Sequence, residues 1–297
     1  MADQIGQAVA RERLRARLVE LRRLSGLSPD SVTARTHWSL SKLNRIETGA
    51  VTVQPLDAQA LLQIYGMHDP GEVAALTDLA ITARRRQRWS GFQLESEVRD
   101  FVAYESTASR ITAYQALRIP DLLQTEAYAR VALTAAAGKK TDDPSVQSAL
   151  ELVLRRQAEL ARNEERTTRL TAVLDGAVLE RRIGGVQVMR AQLDHLADVI
   201  ADDRVRVVVV PLRHGMVPGP GGGFELLEFP GVEDPDVVFV ESPVRNLLVR
   251  DKDVIAGYHD AADALIDSGL TREAALREIR RARATLADRP SATAETR

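Results

Sequence analysis

Cysteine is absent from the 297 residues, which excludes disulfides and thiolate metal sites. Aromatic residues make up only 4% of the chain, so its apolar mass is mainly Ala, Leu and Val. No run approaches the roughly 20 consecutive apolar residues that a membrane span needs. The opening residues, MADQIGQAVARERLRARL, are charged throughout and lack the apolar stretch of a secretion signal. These absences lead to the expectation of a cytoplasmic protein with no membrane partner, no metal and no cofactor.

Charge of one sign is lacking too, since the net charge is only -2, but its distribution is uneven. Residues 1–88 hold about 13 Lys and Arg against about 9 Asp and Glu; the remainder holds about 27 against about 33. A mildly basic head on an acidic body suits a nucleic-acid reader joined to a regulatory domain. Hydrophobic residues at 44% and charged residues at 28% give a globular balance, and the length accommodates two domains.

Catalytic patterns are missing as well. The five histidines, His37, His68, His195, His214 and His259, form neither H-E-x-x-H nor a paired H-x-K arrangement, and no G-x-S-x-G elbow is present. The glycine-rich run from Pro218 to Gly223 lacks the Lys-Ser/Thr of a phosphate cradle and leads into a strand pattern, which favours a hairpin or lid. Glu225, Glu228 and Glu241 are spaced so that they can point from strands to one surface, as solvated carboxylates. Tyr104, Tyr114 and Tyr128 read as core residues. The expectation is that the chain is not an enzyme.

What is present begins with helices. Leu14, Leu18 and Leu21 recur at helical spacing in a helix from Gln7 to Leu24, stopped by Gly26. Ser28-Pro29-Asp30 is an N-cap followed by proline at the first helical position, opening a short helix that ends near Thr36-His37. Ser39 caps a third helix from Leu40 to about Glu47, and Gly49 stops it. Pro55 opens a fourth helix. A fifth runs from about Pro70 into the basic cluster Arg84 to Arg88, which is either a DNA-backbone contact or the basic last turn of a helix.

The pattern from Leu94 to Leu133 is again helical, broken at Pro120, and a long helix follows from Ser145 to about Arg162. Then the period changes. Strands are expected at Leu170–Leu174, Val205–Val210, Phe224–Phe229, Val237–Glu241 and Asn246–Val249, with turns at Pro230-Gly231 and Ser242-Pro243. Helices are expected near Val186–Ile200, Val254–Ile266 and Glu273–Leu286. The resulting fold class is an all-α five-helix domain followed by a mixed α/β (α+β) effector domain. Its expected divisions are 1–88, a helical connection and start of the effector domain at 89–168, the mixed domain at 169–287, and a disordered tail at 288–297.

The second and third helices form the most informative stretch. Val32, Trp38, Leu43 and Ile46 can pack together, which leaves Ser39, Leu40, Ser41, Lys42, Asn44 and Arg45 at the start and outer side of the third helix. A helix of this size fits the major groove of double-stranded DNA. Arg45 can bond guanine, Ser41 either base, Leu40 a thymine methyl, and Lys42 a phosphate. Periodicity alone equally admits a helical hairpin packed on the rest of the protein. The residues Ser39-Leu40-Ser41-Lys42-Leu43 and Arg45-Ile46-Glu47-Thr48-Gly49, however, resemble the Xre (Cro/C1-type) helix-turn-helix family in a form common among actinobacterial members. That resemblance implies a five-helix fold, transcription regulation, and a scaffold role for Glu47. The chain departs from the family at Pro29, where a glutamine contacts phosphate, at Thr33 and Thr36, and at His37, where glycine turns the chain.

A second resemblance rests on Ile119 to Arg130, Arg155-Arg156-Gln157, Ala191 to Leu196, Val208 to Pro211 and Gly223 to Phe229. These stretches look like the effector domain of antitoxin-like, WhiJ-like regulators, which implies a small protein partner encoded nearby. Because one reading helix covers few base pairs, a homodimer on two half-sites is expected. The other reading of the chain is an antitoxin-like module that sequesters a small partner and binds DNA weakly.

Overall fold

The computed structural model describes residues 6–84, 89, 91–162, 168–201, 204–217, 221–229, 236–242 and 244–286. The turns expected at Pro230-Gly231 and Pro243, most of the Arg84–Arg88 cluster, the first half of the glycine-rich run and the tail from 288 lie outside these residues. Two compact units are distinguished. Among the described residues, those up to Thr107 together with Phe229 form the first, and the others from Ala108 onward form the second.

The first unit is helical: α1 (Gln7–Leu24), α2 (Pro29–Thr36), α3 (Leu40–Glu47), α4 (Pro55–Ile64), α5 (Pro70–Thr82) and α6 (Ser96–Glu105). Proline begins α2, α4 and α5, where its missing N–H costs no helical hydrogen bond. Leu14, Leu18 and Leu21 of α1 join Val32, Leu43, Ile46, Leu61, Leu62 and Leu76 in one core. Arg11 of α1 pairs with Asp100 of α6 at 2.6 Å.

Among the described residues, the second unit is built on a seven-stranded mixed sheet. Its elements are β1 (Arg110–Gln115), α7 (Glu126–Ala137), α8 (Pro144–Arg162), β2 (Arg169–Asp175), α9 (Gly176–Glu180), α10 (Gly185–Val199), β3 (Val205–Val210), β4 (Phe224–Glu228), β5 (Val237–Val240), β6 (Leu247–Val249), α11 (Lys252–Ser268), β7 (Leu270–Thr271) and α12 (Glu273–Thr285). The strand order is β6-β5-β4-β1-β2-β3-β7. β1, β2 and β3 run parallel, and the remaining neighbours are antiparallel. An all-α region followed by a mixed α/β domain is therefore the fold class.

β1 corrects the helical reading of residues 94–133. Thr112 is buried along with Ile111 and Ala113, so both faces of this central strand are covered and the period-two signal is lost. β7 and the single-turn helix α9 are further elements the pattern did not show. Glu225, Glu228 and Glu241 do not share one surface. Glu225 and Glu228 are an odd number of residues apart on β4 and face opposite sides of the sheet. Each of the three lies against a different arginine: Arg156 at 3.9 Å, Arg110 at 3.0 Å and Arg118 at 2.6 Å. Tyr104 and Tyr128 are core residues, and Tyr114 is partly buried.

Three of the stretches behind the second resemblance meet at the 3-10 turn Asp121–Leu123. The Gln157 amide donates to the carbonyls of Asp121 (2.6 Å) and Gln124 (2.9 Å). Gln192 of α10, fully buried, donates to the Leu123 carbonyl and accepts from the Thr125 N–H, both at 2.7 Å. The Tyr128 hydroxyl accepts from the Ile119 N–H at 3.1 Å. The Asp121 carboxylate takes Arg156 at 3.1 Å and Arg118 at 3.4 Å. A non-repetitive turn can be buried only if its backbone groups are answered, and these glutamines and the tyrosine answer them. Burial works against the Asp121 carboxylate, but the adjacent Arg118 and Arg156 outweigh it and hold its pKa below the ordinary value.

Candidate nucleic-acid interface

The interface is built from the α2–turn–α3 segment. Ser28 caps α2, its hydroxyl accepting from the Ser31 N–H at 3.2 Å. The Thr36 hydroxyl donates back to the Val32 carbonyl at 3.0 Å and accepts from the Trp38 N–H at 3.3 Å. His37 between them takes φ 58 and ψ 29, the left-handed conformation that glycine enters at no steric cost. It is solvent-exposed, so its ring makes no core contact to offset the backbone conformation. Replacement of His37 by Gly is expected to leave the fold intact and raise the stability of the helical unit by up to about 1 kcal/mol, read by thermal melting. A lower melting temperature would show that the imidazole holds the turn.

The Ser39 hydroxyl accepts from the Lys42 N–H at 3.2 Å and so fixes where α3 begins. Leu43 and Ile46 are buried against α1, α2 and α4, while Trp38 is partly buried against the same core. Behind α3, Glu47 receives a two-pronged contact from the Arg22 guanidinium, and Arg22 also donates to the Leu27 carbonyl at 3.2 Å. Arg15 donates to the Glu47 carbonyl at 3.0 Å. The hydrogen bond that Arg22 donates to Glu47 raises the Arg22 pKa, and burial pushes the Tyr65 phenol up, with Glu47 adding to the effect. Gly49 leaves the helix with φ 76, and a Cβ there would lie 3.1 Å from the Arg15 Cδ. Glu47 thus belongs to the scaffold, tying α3 to α1.

Of the residues singled out from the sequence, Ser39, Leu40, Ser41, Asn44 and Arg45 are exposed on one side of this segment; Leu40 is 46% exposed although apolar. Lys42 is placed differently. Its ammonium lies 3.6 Å from the centre of the Trp38 ring and 3.0 Å from Asp57, the first-turn acid of α4. The sequence marked Trp38 only as a packing residue and did not mark Asp57; an aromatic four residues before a lysine at a helix start is the signal that was there to read. Pro29 starts α2 and carries no side-chain donor. The Lys42 and Leu43 amides are taken up by Ser39, which leaves those of Leu40 and Ser41, at the positive end of the helix dipole, to face a phosphate oxygen.

Residues 13–76 match the family model described as a helix-turn-helix domain. Residues 98–281, more than half of the chain, match the family described as a domain of unknown function, DUF5753. The chain belongs to the DUF5753 family. This DUF5753 protein is an Xre-like helix-turn-helix regulator that binds DNA. No curated protein and no solved structure matches the chain. Among the described residues, no helix is long and apolar enough to cross a membrane, and no group of three or more His, Asp and Glu is placed to hold a metal ion. The histidines are dispersed: His259 pairs with Asp236 at 2.8 Å, and His195 is half-buried, its pKa lowered by that burial.

Proposed function

We propose that this protein is a sequence-specific transcription regulator in which α3 reads base edges in the major groove and the DUF5753 domain mediates dimerisation and senses a ligand or a small protein partner encoded nearby. One observation carries the reading. Ser41, Asn44 and Arg45 are exposed together on a capped helix whose opposite side, Leu43 and Ile46, is locked in the core. Held this way, the backbone that carries them needs no ordering on meeting DNA, and a guanidinium at Arg45 can engage guanine O6 and N7 at once. On this reading the chain is not an enzyme, and its effector domain is of the antitoxin-like, WhiJ-like kind.

The test is selection from pooled genomic fragments at two salt concentrations, with wild type beside the Ser41→Ala/Arg45→Ala variant. Wild type is expected to enrich a palindromic site. The variant is expected to lose about 1–3 kcal/mol per base contact while keeping its melting temperature. Weak binding that falls with salt and ignores the substitutions would refute sequence reading by α3. A second reading, an antitoxin-like module with weak DNA affinity, draws on Lys42, whose ammonium is engaged by Trp38 and Asp57, and on Pro29. Co-purification of a small partner with the non-selective outcome would favour it.

A further inference from the structure

The sheet of the DUF5753 domain has one face that is half apolar and half cationic. In-register residues of neighbouring strands point to the same face. Tyr114, Val173, Val208, Val210, Phe224 and Leu226 share that face, and Ile255, Ala262 and Leu265 of α11 cover them. Towards the amino ends of the parallel strands the same face carries Arg110, Arg169 and Arg206, with Thr112 and Thr171 beside them. The register sets Arg110 against Arg169, Thr112 against Thr171, and Thr171 against Arg206. The short sequences Arg110-Ile111-Thr112-Ala113 and Arg169-Leu170-Thr171-Ala172 therefore lie side by side and duplicate one another's chemistry.

These residues line a cavity of about 810 Å³ that α11 closes from the other side with Asp263 and Asp267. Arg204 and Arg272 also line it, and Arg272 holds a φ of 45, a conformation that costs a non-glycine residue energy. Like charges on adjacent strands, about 4.8 Å apart, repel one another and destabilise a sheet. Arg110 has Glu228 as a partner at 3.0 Å. Among the described residues, Arg169 and Arg206 make no ion pair. A fold that places unpaired guanidinium groups together in a concavity, with threonine hydroxyls between them, is arranged to receive an anion.

We propose that this cavity binds a small ligand carrying a phosphate or carboxylate group, held by Arg169 and Arg206, with hydroxyl or amino donors turned to Asp263 and Asp267. The two carboxylates on the facing wall favour a small bipolar ligand over a continuous polyanion such as the DNA backbone. As an effector site the inference rests on the proposed sensing function; as a binding site it does not depend on α3.

Calorimetric titration of the full chain with O-phosphoserine and, separately, aspartate, anions that each carry an ammonium donor, tests it at matched ionic strength and without DNA. One of the two, identifying the phosphate or the carboxylate arm, is expected to bind saturably. The Arg169→Gln/Arg206→Gln variant is expected to bind it at least about tenfold more weakly, with a melting temperature without ligand equal to or above that of wild type. Arg206→Lys, which keeps the charge but loses the planar fork, should fall between them. Saturable binding by neither anion, or equal binding by wild type and the double variant, overturns the proposal. So does a non-specific duplex whose affinity drops in the double variant while neither small anion binds. Operator selection by the same double variant separates the two readings: retained selection with lost anion binding leaves α3 reading DNA whatever the fate of this site.

Discussion

Arg156→Ala is expected to lower the stability of the DUF5753 domain by about 3–5 kcal/mol, a fall in melting temperature on the order of 10 °C. The side chain of Arg156 is only 4% exposed, and it lies between Asp121 and Glu225, themselves 17% and 10% exposed. Truncation takes one guanidinium from beside each carboxylate in a region that water does not reach easily, leaving Asp121 to Arg118, and that is the costly way to break an ion pair. Adding Asp121→Asn to Arg156→Ala should recover part of the loss, because one of the stranded charges is then removed.

The pH dependence follows from the direction of the Asp121 shift. Its folded pKa lies below the ordinary carboxylate value, so the stabilisation is fully present above about pH 4–5 and is lost as pH falls through the depressed folded value. The gap between wild type and Arg156→Ala should therefore be widest near neutrality and narrow in acid. A gap that stays constant with pH would assign the loss to packing alone.

Glu47→Ala is expected to abolish DNA binding by a different route from Arg45→Ala. Glu47 and Arg22 are each 15% exposed, and their two-pronged contact holds the last turn of α3 against α1. Its loss should cost about 2–4 kcal/mol in the helical unit, somewhat less than a fully buried pair because both side chains keep some water. That unit is small, so such a loss is a large share of its stability. The melting transition of the helical unit should drop with Glu47→Ala and stay in place with Arg45→Ala, while both lose DNA. If Glu47→Ala loses DNA without a drop in melting temperature, Glu47 acts at the interface and not in the scaffold.

The helical unit was legible because its boundaries are written in single residues. Ser28 and Ser39 cap, Pro29, Pro55 and Pro70 open helices, and Gly26 and Gly49 close them. Local rules of this kind act over a few residues and survive in the sequence. β3 was legible for a related reason: Val205 to Val210 is β-branched along nearly its whole length. β1 was not, since it is held by β2 and β4, whose partner residues lie far away in the chain, and its mixed Arg-Ile-Thr-Ala-Tyr-Gln composition suits a strand only beside them.

The same distance hid the chemistry of the second unit. Nothing local to Arg156 announces Asp121, and nothing local to Arg169 announces Arg206. The three glutamates looked alike in sequence and found three different partners. At the interface the outward set was readable from helical period, but the capture of Lys42 by Asp57 depends on how α4 crosses α3, which period does not specify.

The strand order carries a consequence for synthesis of the chain. β1 sits in the middle of the sheet, yet its antiparallel neighbour β4 begins only at Phe224. As a polypeptide leaves the ribosome, the helices up to α5 can settle through near-neighbour contacts long before that. From the time β1, β2 and β3 have emerged until β4 arrives, the free side of β1 offers a row of unsatisfied amides and carbonyls to any passing strand. Messages broken within this interval would yield a product with an intact DNA-reading head and an adhesive, unfinished sheet. The order of the strands makes the late-arriving β4 the element that covers β1, after which β5 and the three-residue β6 move the open edge outward to a strand too short to offer much of a template.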